Sequence, residues 1–340
     1  MKKVLVYAYA FHPSIGGMEN ISRTLACEFT KMGIEVVVAT DTPSTLKHDY
    51  DFRVIRKPST AQLFREAKQC DGIVMMPLSL RRAPVLLLSG KPIVLKHPHE
   101  MTGPKGELRL RDVVRRYLAM KMVNVTAGKF MQGKIPGSII IPNSYNEKEF
   151  HSIGARPFEE RTGVIFSGRL TPVKGAKFLI EAYANLCGDF PQHDLTIVGS
   201  GPDRASLEAQ AEMYGVLDRI KFTGALSPPE LANLLRCNRV AAIPSAYEEP
   251  FGIVALEALA CGCIPVASEN GGLKDATGGH AIYSRNGDAA DLTEKLRVAL
   301  TDDAECVRIF QGVDGHLRHH TPRVMAQSYL DAFELHKTSH

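Results

Sequence analysis

The chain has 340 residues, which is enough for two domains of ordinary size. Its composition, 44% hydrophobic and 23% charged, excludes a disordered or fibrous protein. Seven cysteines without paired spacing exclude both a disulfide framework and a zinc site of the common kind. No apolar run approaches the roughly 18 to 20 residues that cross a bilayer, so we predict no transmembrane span, and the composition is typical of a cytoplasmic globular protein.

Charge is distributed unevenly between the two halves of the chain. Residues 1–155 carry 23 Lys and Arg against 13 Asp and Glu, a net charge of +10. Residues 156–340 carry 18 against 24, a net charge of −6. This difference predicts that the first half meets an anionic partner, either a phospholipid surface or a phosphorylated acceptor. Nucleic acid is not expected.

The first half of the chain alternates strand-like and helix-like patterns. It opens on a near-continuous apolar run, which is typical of a parallel strand covered on both faces. A helical pattern with a regular apolar face follows and ends at Gly33. The alternation recurs, so we predict a doubly wound parallel sheet. The predicted strands are residues 3–10, 35–40, 72–76, 92–96 and 138–141, and the helix contains Ile21, Leu25 and Phe29.

The second half repeats this alternation, which predicts a second sheet of the same kind. Residues 143–157 are polar and interrupt the pattern, so we place the domain linker there. The predicted domains are residues 1–155 and 156–320, followed by a C-terminal helix in 321–340 that could return to the first domain. The predicted strands are residues 163–167, 194–198, 220–223, 240–243 and 263–267.

Two loops have the contents of a phosphate site. Gly16-Gly17 follows the first strand and opens a helix, which allows close backbone approach to a phosphate or sugar. Alone, this pair is equally consistent with a plain tight turn. The loop 167–175 presents Arg169 and Lys174, which could hold a diphosphate together. The Arg169 guanidinium would donate two hydrogen bonds in a forked arrangement, and the Lys174 ammonium would act as a point charge. A solvated basic turn is the alternative.

A third segment, residues 244–266, places two carboxylates around the start of a helix. Glu249 lies in the loop before the helix, and Glu257 lies in its second turn. Free N–H groups at a helix start favour a phosphate. A carboxylate beside that phosphate is explained if it accepts hydrogen bonds from sugar or ribose hydroxyls.

These three segments together resemble the family 4 glycosyltransferases of the GT-B fold, also described as glycosyl transferases group 1. The marks are the Gly-Gly loop, the Gly-Arg-Leu-x-x-x-Lys-Gly loop and the Glu-x7-Glu segment, which occur here in order. The resemblance implies an α/β protein whose two Rossmann-like doubly wound domains face a central cleft. Residues 1–155 would bind the acceptor and residues 156–320 the nucleotide sugar.

The resemblance also implies roles for individual residues. Arg169 and Lys174 would bind the donor diphosphate, and Glu257 the ribose hydroxyls. Glu249 and the backbone of residues 251–253 would hold the transferred sugar, with Gly16 and Gly17 facing the phosphates from the other domain. The residues implied for donor binding and transfer are Gly16, Gly17, Arg169, Lys174, Glu249, Phe251, Gly252, Ile253 and Glu257.

A histidine after a late strand of the first domain lies near the reacting centre in this family. Two candidates, His97 and His99, follow the strand at residues 92–96. We favour His99 as the catalytic residue and keep His97 as the alternative. Asp49-Tyr50-Asp51 matches the Asp-x-Asp of metal-dependent transferases, but it lies outside the predicted strand ends and is expected to be a chance match.

The sequence therefore predicts a retaining glycosyltransferase that moves a sugar from a nucleoside-diphosphate sugar, UDP or GDP, to a hydroxyl of a glycan, lipid-linked or small-molecule acceptor. Attack on the face of the leaving group is favoured, with Glu249 as covalent nucleophile the minor alternative. No cofactor and no obligatory metal are implied. The alternative functions are a GT-B sugar-nucleotide epimerase and a non-catalytic homologue that binds sugar nucleotides.

A basic amphipathic segment lies in the first domain. Residues 105–134 carry eight Lys and Arg against two acidic residues, a net charge of +6. Such a helix could lie on an anionic membrane and place the enzyme peripherally on its inner face. The alternative is a surface helix whose apolar stripe packs on its own sheet. The apolar residues with helical spacing are Leu110, Val113, Val114, Tyr117 and Leu118.

Overall fold

A computed structural model describes residues 1–14, 16–44, 50–101 and 109–338 of the chain. The chain divides into two compact units. Unit 1 comprises Met1–Ser144 and His320–His340, and unit 2 comprises Tyr145–His319.

Unit 1 is built on a parallel sheet of seven strands among the described residues, in the order β3-β2-β1-β4-β5-β6-β7. Its strands are buried apolar runs because helices cover the sheet. The strands are β1 Lys3–Ala8, β2 Glu35–Thr40, β3 Arg53–Arg56, β4 Gly72–Met76, β5 Ile93–Lys96, β6 Val123–Thr126 and β7 Ile139–Ile140; the helices between them are α1 Gly17–Lys31, α2 Thr60–Gln69, α3 Ala83–Leu87, α4 Leu110–Ala119 and α5 Lys129–Lys134.

Unit 2 is built on a second parallel sheet, in which six described strands have the order β10-β9-β8-β11-β12-β13. Its core is apolar and lies between the sheet and its helices. The strands are β8 Val164–Ser167, β9 Leu195–Val198, β10 Ile220–Gly224, β11 Val240–Ile243, β12 Ile264–Ser268 and β13 Ile282–Ser284; the helices are α6 Ala176–Ala184, α7 Arg204–Met213, α8 Pro228–Cys237, α9 Ile253–Ala260, α10 Leu273–Thr277, α11 Ala289–Thr301, α12 Asp303–Phe310 and α13 Val313–Arg318.

The last helix, α14 Pro322–Thr338, belongs to unit 1. It buries Tyr329 and Phe333 completely. Gly72 makes room for this packing, since a Cβ there would lie 2.7 Å from the Phe333 ring. The Nδ1 atom of His320 also lies 2.9 Å from the Asn143 carbonyl oxygen.

The division between the units, after Ser144, falls within the predicted linker 143–157 but nearer the N-terminus than the predicted domain boundary at residue 155. The reason is an arginine of unit 2. Arg236 on α8 donates to the backbone carbonyls of Glu149, at 2.6 Å, and His151, at 2.9 Å. These bonds attach the segment after residue 144 to unit 2.

The strands predicted from apolar runs occur where we expected them, within one or two residues at each end. Three strands, β3, β6 and β13, were not predicted. Strand β6 has the sequence Val-Asn-Val-Thr, whose asparagine breaks the apolar pattern. The Asn124 amide is satisfied in the fold because it donates to the carbonyls of Ala119 and Met122.

Candidate functional site

The loop after β8 carries two of the predicted donor ligands. It contains Arg169 and Lys174 and ends at Gly175, which has φ +73° and precedes α6. A Cβ at Gly175 would lie 1.8 Å from the Pro244 carbonyl oxygen, so only glycine allows this approach. The loop is thereby held against the segment that follows β11.

Lys174 and Glu249 lie in contact in unit 2. The Lys174 Nζ atom lies 2.8 Å from Glu249 Oε1, and the Lys174 side chain keeps 28% of its surface exposed. Burial alone would lower the pKa of Lys174, but the Glu249 carboxylate outweighs burial and raises it. A cation from one loop and a carboxylate from another are therefore charged partners at one place.

Glu249 is fixed by more than its ion pair. The residue is only 4% exposed. Ser245, which is buried, donates its hydroxyl to Glu249 Oε1. The backbone N–H of Gly272 donates to the Glu249 carbonyl at 2.6 Å. The carboxylate is thus held in one orientation before any ligand arrives.

Helix α9 begins beside this carboxylate. Gly252 precedes the helix with φ +102°, and a Cβ there would lie 2.4 Å from the side chain of Leu273. Among the described residues, no side chain caps the start of the helix. The N–H of Ala255 donates to the Gly252 carbonyl at 3.0 Å, so the N–H groups of Ile253 and Val254 are the ones that an anionic group could approach. Phe251, just before, is buried.

Glu257 lies one turn into α9 and is half-buried. Desolvation raises the pKa of its carboxyl to about 7. A carboxyl group with this pKa can both accept and donate hydrogen bonds near neutral pH, which suits contact with a diol.

Arg169 is exposed and forms no ion pair among the described residues. Its guanidinium is therefore available to a ligand. Unit 2 thus brings Lys174, Glu249 and the start of α9 together, with Arg169 on the same loop as Lys174. Ser245 was missed by sequence reasoning, although its position four residues before Glu249 was a signal that could have suggested it.

Unit 1 carries the remaining predicted site residues, which are Gly16, Gly17 and the two histidines after β5. Gly16 is extended at φ 177° and precedes α1, whose first residue is Gly17. A Cβ at Gly17 would meet no described protein atom within 4 Å. The packing of the unit therefore does not require glycine at that position.

The two histidines after β5 have different environments. His97 is 3% exposed, and its Nε2 atom lies 2.7 Å from Asn124 Oδ1, whereas His99 is exposed. Desolvation lowers the pKa of both rings. Lys96, just before them, is buried and donates to the Ile141 carbonyl at 3.0 Å, and desolvation lowers its pKa to about 7.

Helix α4 does not bury its apolar stripe. Leu110 is 81%, Val113 50% and Tyr117 56% exposed, and only Leu118 of the predicted stripe packs against the core of the unit. Some of the basic residues are paired, since Arg115 lies 3.3 Å from Asp112 and Lys134 lies 3.0 Å from Glu100. Lys105 and Glu107 of this predicted segment lie outside the described residues.

Of the Asp-x-Asp match, Asp49 also lies outside the described residues. Tyr50 is part of an aromatic cluster, stacked on Phe52 with ring centroids 4.8 Å apart. Its hydroxyl lies 3.0 Å from His12 Nδ1. None of the described helices is both long and apolar enough to cross a membrane.

Comparison with known proteins shows which family the sequence of unit 2 resembles. Residues 147–311 match the family described as Glycosyl transferases group 1. This segment belongs to that family. The resemblance drawn from the loop 167–175 and from the Glu-x7-Glu segment is therefore confirmed.

Curated relatives match part of this chain. An uncharacterized glycosyltransferase, YqgM of Bacillus subtilis, is 30% identical over 203 residues, which are 57% of this chain and 55% of that protein. A D-inositol 3-phosphate glycosyltransferase of Corynebacterium jeikeium is 36% identical over 153 residues, 42% of this chain and 36% of that protein. The chain thus spans about half or less of these relatives.

A solved structure matches nearly the whole chain. HepE of Anabaena, in complex with UDP and glucose, is 18% identical with a TM-score of 0.81, over 98% of this chain and 100% of that one. The predicted fold class, GT-B with two doubly wound Rossmann-like domains, is therefore confirmed.

Proposed function

We propose that the protein transfers a sugar from a nucleoside-diphosphate sugar to an acceptor hydroxyl with retention of configuration. The observation that carries this proposal is the contact between Lys174 and Glu249 beside the uncapped start of α9. A cation and free N–H groups can bind the diphosphate of such a donor, and a carboxylate can accept hydrogen bonds from its sugar hydroxyls. Because HepE is described in complex with UDP, UDP is the favoured nucleotide.

In this reaction the bond between the anomeric carbon and a phosphate oxygen breaks, and a bond from the acceptor oxygen forms. The acceptor proton passes to the departing diphosphate on the same face of the sugar. Negative charge grows on the diphosphate, so Arg169 and Lys174 stabilise the transition state more than the ground state. Lys174 would exchange the Glu249 carboxylate for a phosphate, and Glu249 would then accept hydrogen bonds from the sugar.

The remaining predicted contacts complete the proposal. Glu257 would hold the ribose hydroxyls, and the backbone of residues 251–253 would contact the sugar. In unit 1, Gly16 and Gly17 would approach the phosphates and His99 the reacting centre. His99 is favoured over His97 because His97 is buried and already bonded to Asn124. None of these steps uses a cofactor or an obligatory metal.

A thermal-shift screen against UDP, GDP, ADP and TDP tests the donor site, with wild type beside Arg169→Ala. We expect one diphosphate to stabilise wild type and to lose most of its effect on the variant, since Arg169 is exposed and contributes little to folding. Absence of a shift with all four would overturn the donor proposal. Sugar transfer rather than epimerisation is then tested by recovery of the free diphosphate together with a glycosylated product.

The acceptor is proposed to be a glycan, lipid-linked or small-molecule compound with a free hydroxyl. The exposed face of α4 supports an anionic bilayer as a partner, because apolar side chains that stay in water lie beside basic ones. Lys121, for example, lies over the Tyr117 ring at 5.1 Å. The enzyme would then lie peripherally on the cytoplasmic side of the membrane, where anionic lipids concentrate.

Co-sedimentation with phosphatidylcholine vesicles, with and without phosphatidylglycerol, tests this partner. Leu110→Ser should weaken binding about tenfold, the equivalent of burying one leucine side chain. Leu88→Ser is the matched control, because Leu88 is 75% exposed in the same unit but lies on α3's C-terminal end. The membrane proposal would be excluded if both variants lost vesicle binding equally, or if binding were the same with and without phosphatidylglycerol.

A further inference from the structure

An aromatic side chain, Tyr247, lies beside Lys174 in unit 2. Tyr247 stands in the loop after β11, two residues before Glu249, and is half-buried. The Lys174 Nζ atom lies over its ring, 5.5 Å from the ring centroid. At this distance the negative face of an aromatic ring attracts a cation. In the free protein, Lys174 therefore contacts the Tyr247 ring as well as the Glu249 carboxylate.

A hydrogen bond between the main chains of two loops places Tyr247 next to Lys174. The N–H of Ala246, just before Tyr247, donates at 2.9 Å to the carbonyl of Val173, just before Lys174. The loop after β11 and the loop after β8 are thus joined one residue away from the two side chains. The contact between the ring and the ammonium is therefore built into the backbone of the site.

The backbone of Tyr247 is also held by an asparagine from the far side of the sheet. The Asn286 side-chain amide donates to the Tyr247 carbonyl at 3.2 Å, and Asn286 Oδ1 accepts from the Asn270 N–H at 3.0 Å. Asn286 follows β13 and Asn270 follows β12. Loops at the carboxyl ends of three neighbouring strands therefore fix the position of Tyr247, which makes its ring a rigid support for a flexible lysine side chain.

The Tyr247 ring can hold a cation without offsetting its charge. Burial and the Glu249 carboxylate raise the pKa of the Tyr247 hydroxyl and outweigh the opposing effect of the Lys174 ammonium, so the phenol is uncharged near neutral pH. The Glu249 carboxylate, in contrast, offsets the charge of Lys174. In the proposed reaction Lys174 exchanges this carboxylate for a phosphate. The ring is then the partner that can stay beside the ammonium while the full positive charge acts on the diphosphate.

We propose that Tyr247 is a positioning residue, which holds the Lys174 ammonium toward the donor diphosphate through the face of its ring. This inference rests on the proposed transfer reaction, because Lys174 is the diphosphate ligand in that reaction. The attraction comes from the aromatic ring rather than from the hydroxyl. Phenylalanine should therefore replace tyrosine at this position, whereas leucine, which is apolar but not aromatic, should not.

Titration calorimetry with UDP on wild type, Tyr247→Phe and Tyr247→Leu tests the role of the ring. Tyr247→Leu should raise the Kd about three- to tenfold, because one cation–π contact is lost, and Tyr247→Phe should stay within about twofold of wild type. Phe178→Leu is the matched control and should leave the Kd unchanged. It removes a ring of the same unit that also lies under an ammonium, with Lys177 Nζ 4.6 Å from the Phe178 centroid.

Three results of this titration would overturn the proposal. The Kd for UDP could be the same in Tyr247→Leu as in wild type, so that the ring is not needed. Tyr247→Phe could be as weak as Tyr247→Leu, so that the hydroxyl and not the ring is responsible. Phe178→Leu could weaken binding as much as Tyr247→Leu, so that the loss reflects packing in unit 2 rather than the contact with Lys174.

A double-variant cycle tests whether Tyr247 acts through Lys174. In the Lys174→Ala background, Tyr247→Leu should cause no further loss of UDP affinity, because the ammonium that the ring holds is already absent. An equal loss in both backgrounds would mean that Tyr247 does not act through Lys174, and the positioning role would be wrong.

The same titrations separate this inference from the proposed reaction. If wild type binds UDP and Tyr247→Leu binds it equally well, the donor site stands and only the role of Tyr247 is wrong. If wild type binds no UDP, the donor site is wrong and the role of Tyr247 falls with it.

Discussion

The Lys174 ammonium lies 2.8 Å from the Glu249 carboxylate, and this pair joins the loop after β8 to the loop after β11. The two side chains are partly desolvated, and each one offsets the charge of the other. A bound diphosphate would take over the role of Glu249 toward Lys174. The pair therefore holds two ligand-binding groups in position in the free protein.

Replacement of Lys174 tests its role in the reaction. Lys174→Ala should lower the rate of donor hydrolysis or sugar transfer roughly 10²-fold or more, because one preorganised cation is lost from the leaving group. It should also weaken UDP binding, as measured by titration calorimetry. Lys177→Ala is the control, since Lys177 is exposed on α6 and its ammonium lies over the Phe178 ring. Equal rates for the two variants would contradict the assignment.

Replacing the two histidines after β5 should have different effects, one on turnover and the other on stability. His99→Ala should lower turnover by about 10² or more with little change in stability, because His99 is exposed. His97→Ala should lower the free energy of unfolding by about 1–3 kcal/mol, because Asn124 Oδ1 loses its buried partner. Urea unfolding and donor turnover, measured on both variants, give the comparison. The opposite pattern would move the reacting role to His97.

Much of this arrangement could be predicted from sequence, and the reasons are local. The strands are apolar runs between turn residues, and Arg169, Lys174, Glu249 and Glu257 are read directly from their loops. Contacts across the fold could not be predicted. Nothing in the sequence pattern shows that Lys174 would reach Glu249, which lies 75 residues further along the chain.

Helix α4 shows a second limit of the sequence. A helical apolar stripe predicts a buried face, but in α4 the residues Leu110, Val113 and Tyr117 stay largely in water. The stripe and its basic neighbours look the same in sequence whether the face packs on the sheet or on a membrane. Strand β3 was not predicted for a similar reason. Its apolar centre is only two residues long and is flanked by Arg53 and Arg56, so the sequence shows no apolar run.

The carboxyl of Glu257 should make stability depend on pH. Its pKa is raised from 4.5 to about 7 in the folded protein. As pH rises through this window, the unfolded chain releases the proton first and binds fewer protons than the folded one, so the free energy of unfolding falls. Glu257→Gln removes this decrease and should be more stable than wild type by roughly 1–3 kcal/mol at pH 8.

Urea unfolding of wild type and Glu257→Gln at pH 5 and pH 8 measures this difference. The two proteins should be closer in stability at pH 5, where Glu257 keeps its proton when folded. Glu248→Gln is the control, because Glu248 is exposed on the neighbouring loop. A difference between wild type and Glu257→Gln that is equal at both pH values would show that the carboxyl is not desolvated.

The close approach of the loop after β8 to the segment after β11 can be tested by replacing Gly175 with alanine, which adds one methyl group. Gly175→Ala places a Cβ 1.8 Å from the Pro244 carbonyl at a residue with positive φ, so both the backbone and the contact resist the change. We expect a loss of at least about 2 kcal/mol in the free energy of unfolding. Gly188→Ala is the matched control in unit 2, where a Cβ meets no described atom within 4 Å. Because Lys174 precedes Gly175, the variant should also weaken UDP binding, and an unchanged UDP affinity would mean that the loop's position does not set that of Lys174.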